Sequence, residues 1–270
     1  MVALSDWPGP RARLAIKDIT DTRRLWPLWV KLGWNDILQR YRRSLLGPLW
    51  LTASMAIMVI TLGIVYAKIF KVAPRDFIPF LSVGLIVWGY INAMLSEAGT
   101  LFTGSESYIK QIRLPYSLYV CRFIWSRMII FAHNAVIYLG VLVYFQLWPG
   151  SAAFYAIPGF LIVTLNGALT SSYLGIVSTR FRDIPQIVVS VLQIIFFITP
   201  ILWKPELLET HSFLLTWNPF FHMIEIIRAP LLGQIPSAEN YAAVALVTGL
   251  NLLLAGSLFS RFRGRIAYWV

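Results

Sequence analysis

Charged residues vanish from long stretches of this chain and return in short clusters. Residues 49–67, 77–96, 184–203 and 240–260 each run 19–21 positions without Asp, Glu, Lys or Arg. Residues 128–179 hold 52 such positions, interrupted by the turn signal Leu147-Trp148-Pro149-Gly150. A helix rises about 1.5 Å per residue, so about 20 apolar residues cross a hydrocarbon core of about 30 Å. None of the runs alternates with the two-residue period of a strand. The pattern predicts an all-α polytopic membrane protein with six transmembrane helices, at about 49–67, 77–96, 128–147, 152–178, 184–203 and 240–260. A cytoplasmic segment, 1–48, precedes the transmembrane domain, 49–262.

Between the runs the pattern changes period. Residues 1–21 are polar and carry no regular signal. From 25 to 45, Trp26, Val30, Trp34, Ile37, Tyr41 and Leu45 recur at three- and four-residue steps, which places them on one helical face. A basic, Trp-bearing amphipathic helix suits the membrane interface, the expectation here; packing on a soluble partner is the alternative. In the loop after the second span, Thr103 and Glu106 have capping-box spacing and Pro115 is a stop, predicting a short helix over 105–113. Asp183, with Gln186 three residues on, is placed to cap the fifth span. Pro200 is expected to kink that span's outer end. The stretch 204–239 is too polar to span, yet contains Phe213-Leu214-Leu215 and Trp217-Asn218-Pro219-Phe220-Phe221. Asn218 and Pro219 are suited to N-cap and first helical position, and Glu225 can pair with Arg228 one turn on. Two short helices dipping into the outer leaflet are expected; a loop helix lying flat on the surface is the alternative.

Composition agrees: 58% of residues are hydrophobic and 13% charged, against about 25% charged in soluble domains. Placing both termini inside puts 18 of the 23 Lys and Arg on the inner side, the asymmetry that sets orientation. The net charge of +11 then sits wholly on the inner face, where topology and anionic headgroups account for it without nucleic acid. The opening 48 residues, nine of them Lys or Arg, lack the apolar core of a secretory signal, and none is expected. Cys121 is the single cysteine, so no internal disulfide forms.

The chemistry of enzymes is missing from the pattern. There is no Gly-x-x-x-x-Gly-Lys-Ser/Thr loop for ATP, no Gly-x-Ser-x-Gly elbow, and no metal-ligand spacing among His133, His211 and His222. No acid or base sits mid-span, as ion-driven pumps usually need. His133 reads as a satisfied interface or inter-helix histidine rather than a proton relay. Aromatics make up 15% of the chain, and Trp50, Tyr66, Phe70, Tyr144, Trp148, Trp203 and Tyr241 lie at span ends, as an interfacial belt does. Trp88, Phe196 and Phe197 lie deeper. Three roles fit them: facing lipid, packing between helices, or lining a path for sugar rings.

Four pieces of sequence resemble one family. Arg40 to Trp50 (RYRRSLLGPLW) is similar to the entry to the first span of polysaccharide-exporting ABC transporter permeases, of the ABC-2 type. Ile109 to Pro115 resembles their first cytoplasmic coupling segment. Ser178 to Pro185, followed by Phe196-Phe197-Ile198-Thr199-Pro200, resembles their fourth-to-fifth span junction, and Asn218 to Arg228 their outer re-entrant motif. Order and spacing match over about residues 25–265. The resemblance implies a bacterial inner-membrane permease that exports a lipid-linked polysaccharide such as O-antigen, capsule or teichoic acid. It implies a homodimer working with two copies of a separate ATPase, with ATP and Mg bound by that partner and no cofactor in this chain. It casts Glu106, Tyr108, Lys110, Arg113, Arg180, Arg182 and Asp183 as ATPase-coupling residues. It makes Tyr66, Phe70, Trp88, Phe196, Phe197 and Trp203 candidates for sugar contact. Asn218, Pro219, Glu225 and Arg228 become parts of an outer gate, and Trp26, Trp34 and Tyr41 mark the interface helix. A drug or simple-lipid permease, an ion-coupled flippase and a membrane glycosyltransferase are the rivals. The last two lack the acids they need.

Overall fold

One helix is sealed from its surroundings on nearly every side. Helix α4 (Pro74–Ser96) is buried almost without a break from Phe77 to Trp88, and again at Tyr90, Ile91 and Met94. Its apolar residues run all round the helix, so it takes the centre and the amphipathic helices wrap it. Around it lie α3 (Leu49–Ile69), α6 (Tyr116–Phe145), α7 (Ala156–Arg180), α8 (Ile184–Ile198) and α10 (Pro219–Leu231), each in contact with it. Before these come α1 (Pro10–Arg24) and α2 (Trp26–Arg40). The chain is completed by α5 (Glu106–Gln111), α9 (Phe213–Thr216), α11 (Ala238–Phe262) and α12 (Ile266–Trp269). The computed structural model describes residues 10–40, 42, 47, 49–208 and 213–270, and among these every regular element is helical.

Among the described residues five helices are long and apolar enough to cross a membrane: α3, α4, α6, α7 and α11. The remaining apolar run is shorter than the six-span reading expects. Helix α8 has 15 residues, about 22 Å at 1.5 Å each. It ends at Ile198 because Pro200 forces Thr199 to extended backbone, φ −82° and ψ 134°. The proline therefore stops the helix, where a kink was expected. Thr199, Pro200 and Ile201 continue as non-helical chain buried in protein.

Other boundaries moved for identifiable reasons. Helix α6 starts at Tyr116, well before the span expected at 128, because Arg122 and Arg127 are paired and do not end the helix. The second half of 1–21, read as irregular, belongs to α1, which runs from Pro10 to Arg24. Helix α2 ends at Arg40; Tyr41 lies outside the described residues. It packs along α6, with Trp26 and Trp34 left 60% and 47% exposed. The capping box at Thr103 does not form, since Thr103 Oγ1 donates to the Gly99 carbonyl instead. Asp183 stands at the N-cap of α8 without a side-chain cap bond. Asn218 does cap α10, accepting from Phe220 N at 3.0 Å and Phe221 N at 3.3 Å.

Polar side chains join the helices inside the bundle. Asn166 on α7 donates to Thr248 at 2.8 Å and accepts from Asn251 at 2.8 Å, and Tyr173 donates to Asn251 at 3.2 Å. Such bonds contribute on average about 0.6 kcal/mol each within a membrane bundle. Small residues set the closest approaches. A Cβ at Gly33 would stand 2.8 Å from the Arg122 carbonyl, and one at Gly159 would collide with the Ile226 carbonyl of α10. Gly159→Ala is therefore expected to lower stability by about 1–3 kcal/mol, the range for overpacking. Gly249→Ala, with nothing within 4 Å of its Cβ, is the control. Thermal unfolding in detergent reads both. An equal midpoint for the two variants would show that α10 does not rest on α7 as described.

Candidate coupling surface and outer re-entrant helix

The end of the bundle that carries α5 is held together by ion pairs. Helix α6 begins at Tyr116 after Pro115, which has no side-chain acceptor to cap it. Asp18 of α1 supplies the cap from elsewhere in the chain. Its carboxylate accepts from Tyr116 N at 3.1 Å and Ser117 N at 2.9 Å, at the end of the helix dipole that favours negative charge. Arg263, just past α11, donates to the same carboxylate at 2.9 Å. One side chain thus joins α1, α6 and the end of α11. A second clamp lies farther along α6, where Asp36 of α2 takes a bidentate pair from Arg122 at 2.7 and 2.5 Å. The Arg122 guanidinium also lies over the Tyr108 ring of α5, 5.4 Å from its centroid. A third pair links Arg127 to Glu97 at 2.8 Å.

Of the candidate coupling residues, Tyr108 is the one this arrangement holds. Glu106, Lys110, Arg113, Arg182 and Asp183 are all exposed, and Tyr108 is exposed at its edge. Lys110 bonds Glu106 at 2.5 Å and holds its carboxyl below the usual range; the charges of Lys110 and then of Arg182 add to that depression. Arg182 therefore sits within electrostatic reach of α5, at the same end of the bundle. Arg180 points elsewhere, over Trp269 at 5.4 Å and Phe181 at 5.6 Å. Asp18, Asp36 and Arg122 were not singled out from the sequence. The available signal was a helix start, Pro115-Tyr116-Ser117, that cannot cap itself, together with a few acids in a strongly basic N-terminal segment.

At the other end, Arg228 is 0% exposed. Its Nε and Nη2 donate to Glu225 Oε2 at 2.9 and 2.6 Å, and Nη1 donates to the Pro200 carbonyl at 2.7 Å. The Phe80 ring of α4 lies 4.0 Å from the guanidinium carbon. Asn218 Nδ2 donates to Thr199 Oγ1 at 2.9 Å. His222 bridges the Thr216 carbonyl and the Asn240 side chain at 2.9 and 2.7 Å. Phe220 packs on Trp88 with centroids 5.8 Å apart. Trp88 lies fourteen residues past Pro74, roughly 21 Å down α4. The N-terminus of α10 thus starts deep beside α4, and its far end returns to Leu231, whose carbonyl accepts from Tyr138. A helix lying flat on the surface does not fit this burial; a re-entrant one does.

The aromatic candidates form two clusters. Trp88 is buried between Phe196 and Phe220, at 5.7 and 5.8 Å, which is the packing role among the three open to it. Phe197 packs edge-on against Phe196 and is 62% exposed. Trp203 is half-buried, its Nε1 donating to the Phe197 carbonyl at 3.2 Å. Tyr66 and Phe70, both half-buried, stack towards Phe77. Helices α3 and α8 carry outward apolar rows, including Ile57, Ile60 and Ile64 on one, Val191, Ile194 and Ile198 on the other.

Long apolar helices, buried polar joints and a charged surface at one end define an all-α polytopic membrane protein. Residues 28–232 match the family model described as ABC-2 type transporter, about three quarters of the sequence, and the chain belongs to that family, whose members are transport subunits. Its relatives include the O-antigen export system permease protein RfbA of Myxococcus xanthus, 24% identical over 249 residues, 89% of this chain and 94% of the relative. Two proteins of the same name from Klebsiella pneumoniae are 25% and 24% identical, each over 90% of this chain and 95% of the relative.

The Glu225–Arg228 pair gives an asymmetric expectation. Glu225→Ala strands a fully buried guanidinium and is expected to cost about 3–5 kcal/mol. Arg228→Met leaves only a carboxylate already 20% exposed and is expected to cost less. Unfolding midpoints of the two variants decide; the reverse order would show that the ion pair is not what holds α10 in place.

Proposed function

We propose that this chain is the permease of an ABC exporter for a lipid-linked polysaccharide of the O-antigen type. Two copies form the conduit in the bacterial inner membrane, with both termini cytoplasmic. Two copies of a separate ATPase bind ATP and Mg and drive it. The observation that carries the reading is the family match, with named relatives aligned along nine-tenths of the chain; the exposed charges of α5, Arg182 and Asp183 at one end of the bundle support it. Six apolar helices offer little room for a sugar-wide pore by themselves, and the outward rows of α3 and α8 offer faces for a second copy.

In this mechanism Glu106, Tyr108, Lys110, Arg113, Arg182 and Asp183 dock on the ATPase. Tyr108 passes motion to Arg122 and Asp36, and so to α2. The polymer advances past Phe197, Phe196, Tyr66, Phe70 and Trp203, with Trp88 supporting Phe196 from behind. Weak repeated stacking permits movement where a single tight site would stall it. Residues 205–233, with Asn218, Pro219, Glu225 and Arg228, close the outer end.

Co-expression with the ATPase encoded nearest in the genome is expected to yield a two-plus-two complex. Failure to associate with any such ATPase would sink the reading. Within the complex, Arg182→Ala with Asp183→Ala is expected to leave ATP hydrolysis running while export stops; unchanged export would remove these residues from coupling. Phe196→Ala with Phe197→Ala is expected to slow export several-fold without disturbing assembly, measured as surface polymer per unit of permease. Normal export there would return both rings to packing.

A further inference from the structure

Several charged groups at the α5 end of the bundle are neutralised by a partner, as in the Asp18–Arg263, Asp36–Arg122, Glu97–Arg127 and Glu106–Lys110 pairs. Arg180, Arg261 and Arg265 are not among them, and each lies over an aromatic ring. Among the described residues no carboxylate lies within ion-pair distance of any of them. Rings hold them instead. Arg180 lies over Trp269 at 5.4 Å, and Arg261 and Arg265 lie over Phe262 at 5.4 and 5.8 Å. Phe262 and Trp269 pack at 5.8 Å, joining the set. A ring takes the face of a guanidinium and leaves the N–H donors at its edge free, so the charge is oriented but unspent.

Arg180 and Arg265 border one cavity of about 330 Å³, closed by Ile176, Val177, Phe262 and Trp269. Its walls are the last turns of α7 and α11 and the short α12. Above it lies a second cavity of about 300 Å³, lined mostly by apolar residues of α4, α7, α8, α10 and α11, with Asn166, Thr170, Tyr173 and Asn251 on one side. The same faces of two helices line both cavities. On α7, Tyr173 and Arg180 are seven residues apart, two turns; on α11, Asn251 and Phe262 are eleven apart, three turns. The offset is about 10–16 Å at 1.5 Å per residue, comparable to half of a hydrocarbon core of about 30 Å. A cationic pocket at the ends of two spans, followed by an apolar cavity at acyl-chain depth, has the two parts of a phospholipid.

We propose that these cavities bind one anionic phospholipid, its phosphate between Arg180 and Arg265 and an acyl chain in the upper cavity. A soluble acidic partner would match the lower charge but would leave the upper apolar cavity unfilled. The ligand class does not depend on the polysaccharide reading. With the orientation proposed above, the lipid belongs to the cytoplasmic leaflet, and only that placement rests on it.

The test uses the full chain in lipid nanodiscs or mild detergent. Phosphatidylglycerol and phosphatidylcholine, supplied in equal amounts, are counted on the protein by native mass spectrometry. Retention of phosphatidylglycerol over phosphatidylcholine is expected, falling roughly tenfold in Arg180→Gln with Arg265→Gln, two exposed residues whose loss leaves the buried core intact. Val247→Phe, which narrows the upper cavity, is expected to reduce retention of phosphatidylglycerol with both arginines present. Equal retention of the two lipids, or a preference that survives both variants, overturns the site. Displacement of the lipid by millimolar inorganic phosphate would reassign the pocket to a free anion. Loss of ATPase binding in the double variant, with lipid retention unchanged, would reassign it to protein docking. The readout is lipid mass, so a chain that exports nothing can still pass this test.

Discussion

Hydrocarbon offers no hydrogen-bond partner, so every backbone group that leaves a helix inside a membrane bundle must be met by protein. Helix α8 leaves its spiral at Thr199, with Pro200 the immediate cause, and exposes a carbonyl and a hydroxyl in the interior. Arg228 meets the first and Asn218 the second. Both responders lie on or at the cap of α10, which explains why that helix enters the bundle. A helix inserted among spans also has an unsatisfied N-terminus of its own. Asn218 answers it, accepting from two backbone N–H groups while its amide reaches Thr199. The break in α8 and the burial of α10 are two sides of one constraint.

The other end follows the same logic in water-accessible surroundings. Helix α6 begins without a cap of its own, and Asp18 supplies one from almost a hundred residues away. That single carboxylate also fixes Arg263, so the N-terminal helix, the longest helix and the end of the last span share one joint. Asp36 and Arg122 repeat the device on α2. An amphipathic segment that the periodicity assigns to the membrane interface is therefore also a strut on the bundle. The two roles are compatible, because Gly33 lets one face approach α6 while Trp26 and Trp34 stay outside.

The parts of this fold that were legible in the sequence depend on local rules. Apolar length marked the spans, and Asn218-Pro219 marked the start of α10, because capping is decided within a few residues. Glu225 and Arg228 were legible as a pair because one turn separates them. What could not be read was long-range. Arg122 and Arg127 look like the end of a loop until Asp36 and Glu97 are seen beside them. Trp88 is a ring at mid-span, equally suited to three roles, until Phe196 and Phe220 close on it. The capping signals at Thr103 and Asp183 were locally sound, yet neither cap bond formed. The Thr103 hydroxyl found the Gly99 carbonyl, and Asp183 stayed at an exposed turn beside the Arg182 surface.

Helix α8 connects these two ends. Its first residue follows the Arg182–Asp183 turn, and its last precedes the carbonyl held by Arg228. Only Leu192 among its 15 residues is fully buried, so few lateral contacts hold it along its length. About four turns of continuous hydrogen-bonded helix move as a rod. In the proposed exporter, a push on the cytoplasmic turn therefore reaches Thr199 and Pro200 with little loss to bending. Phe196 and Phe197 ride on the last turn of that rod, and Arg228 sits at its tip. Motion at the docking surface would thus displace the sugar-facing rings and strain the outer latch together. A full-length sixth span embedded on all sides would have spread that motion into its neighbours.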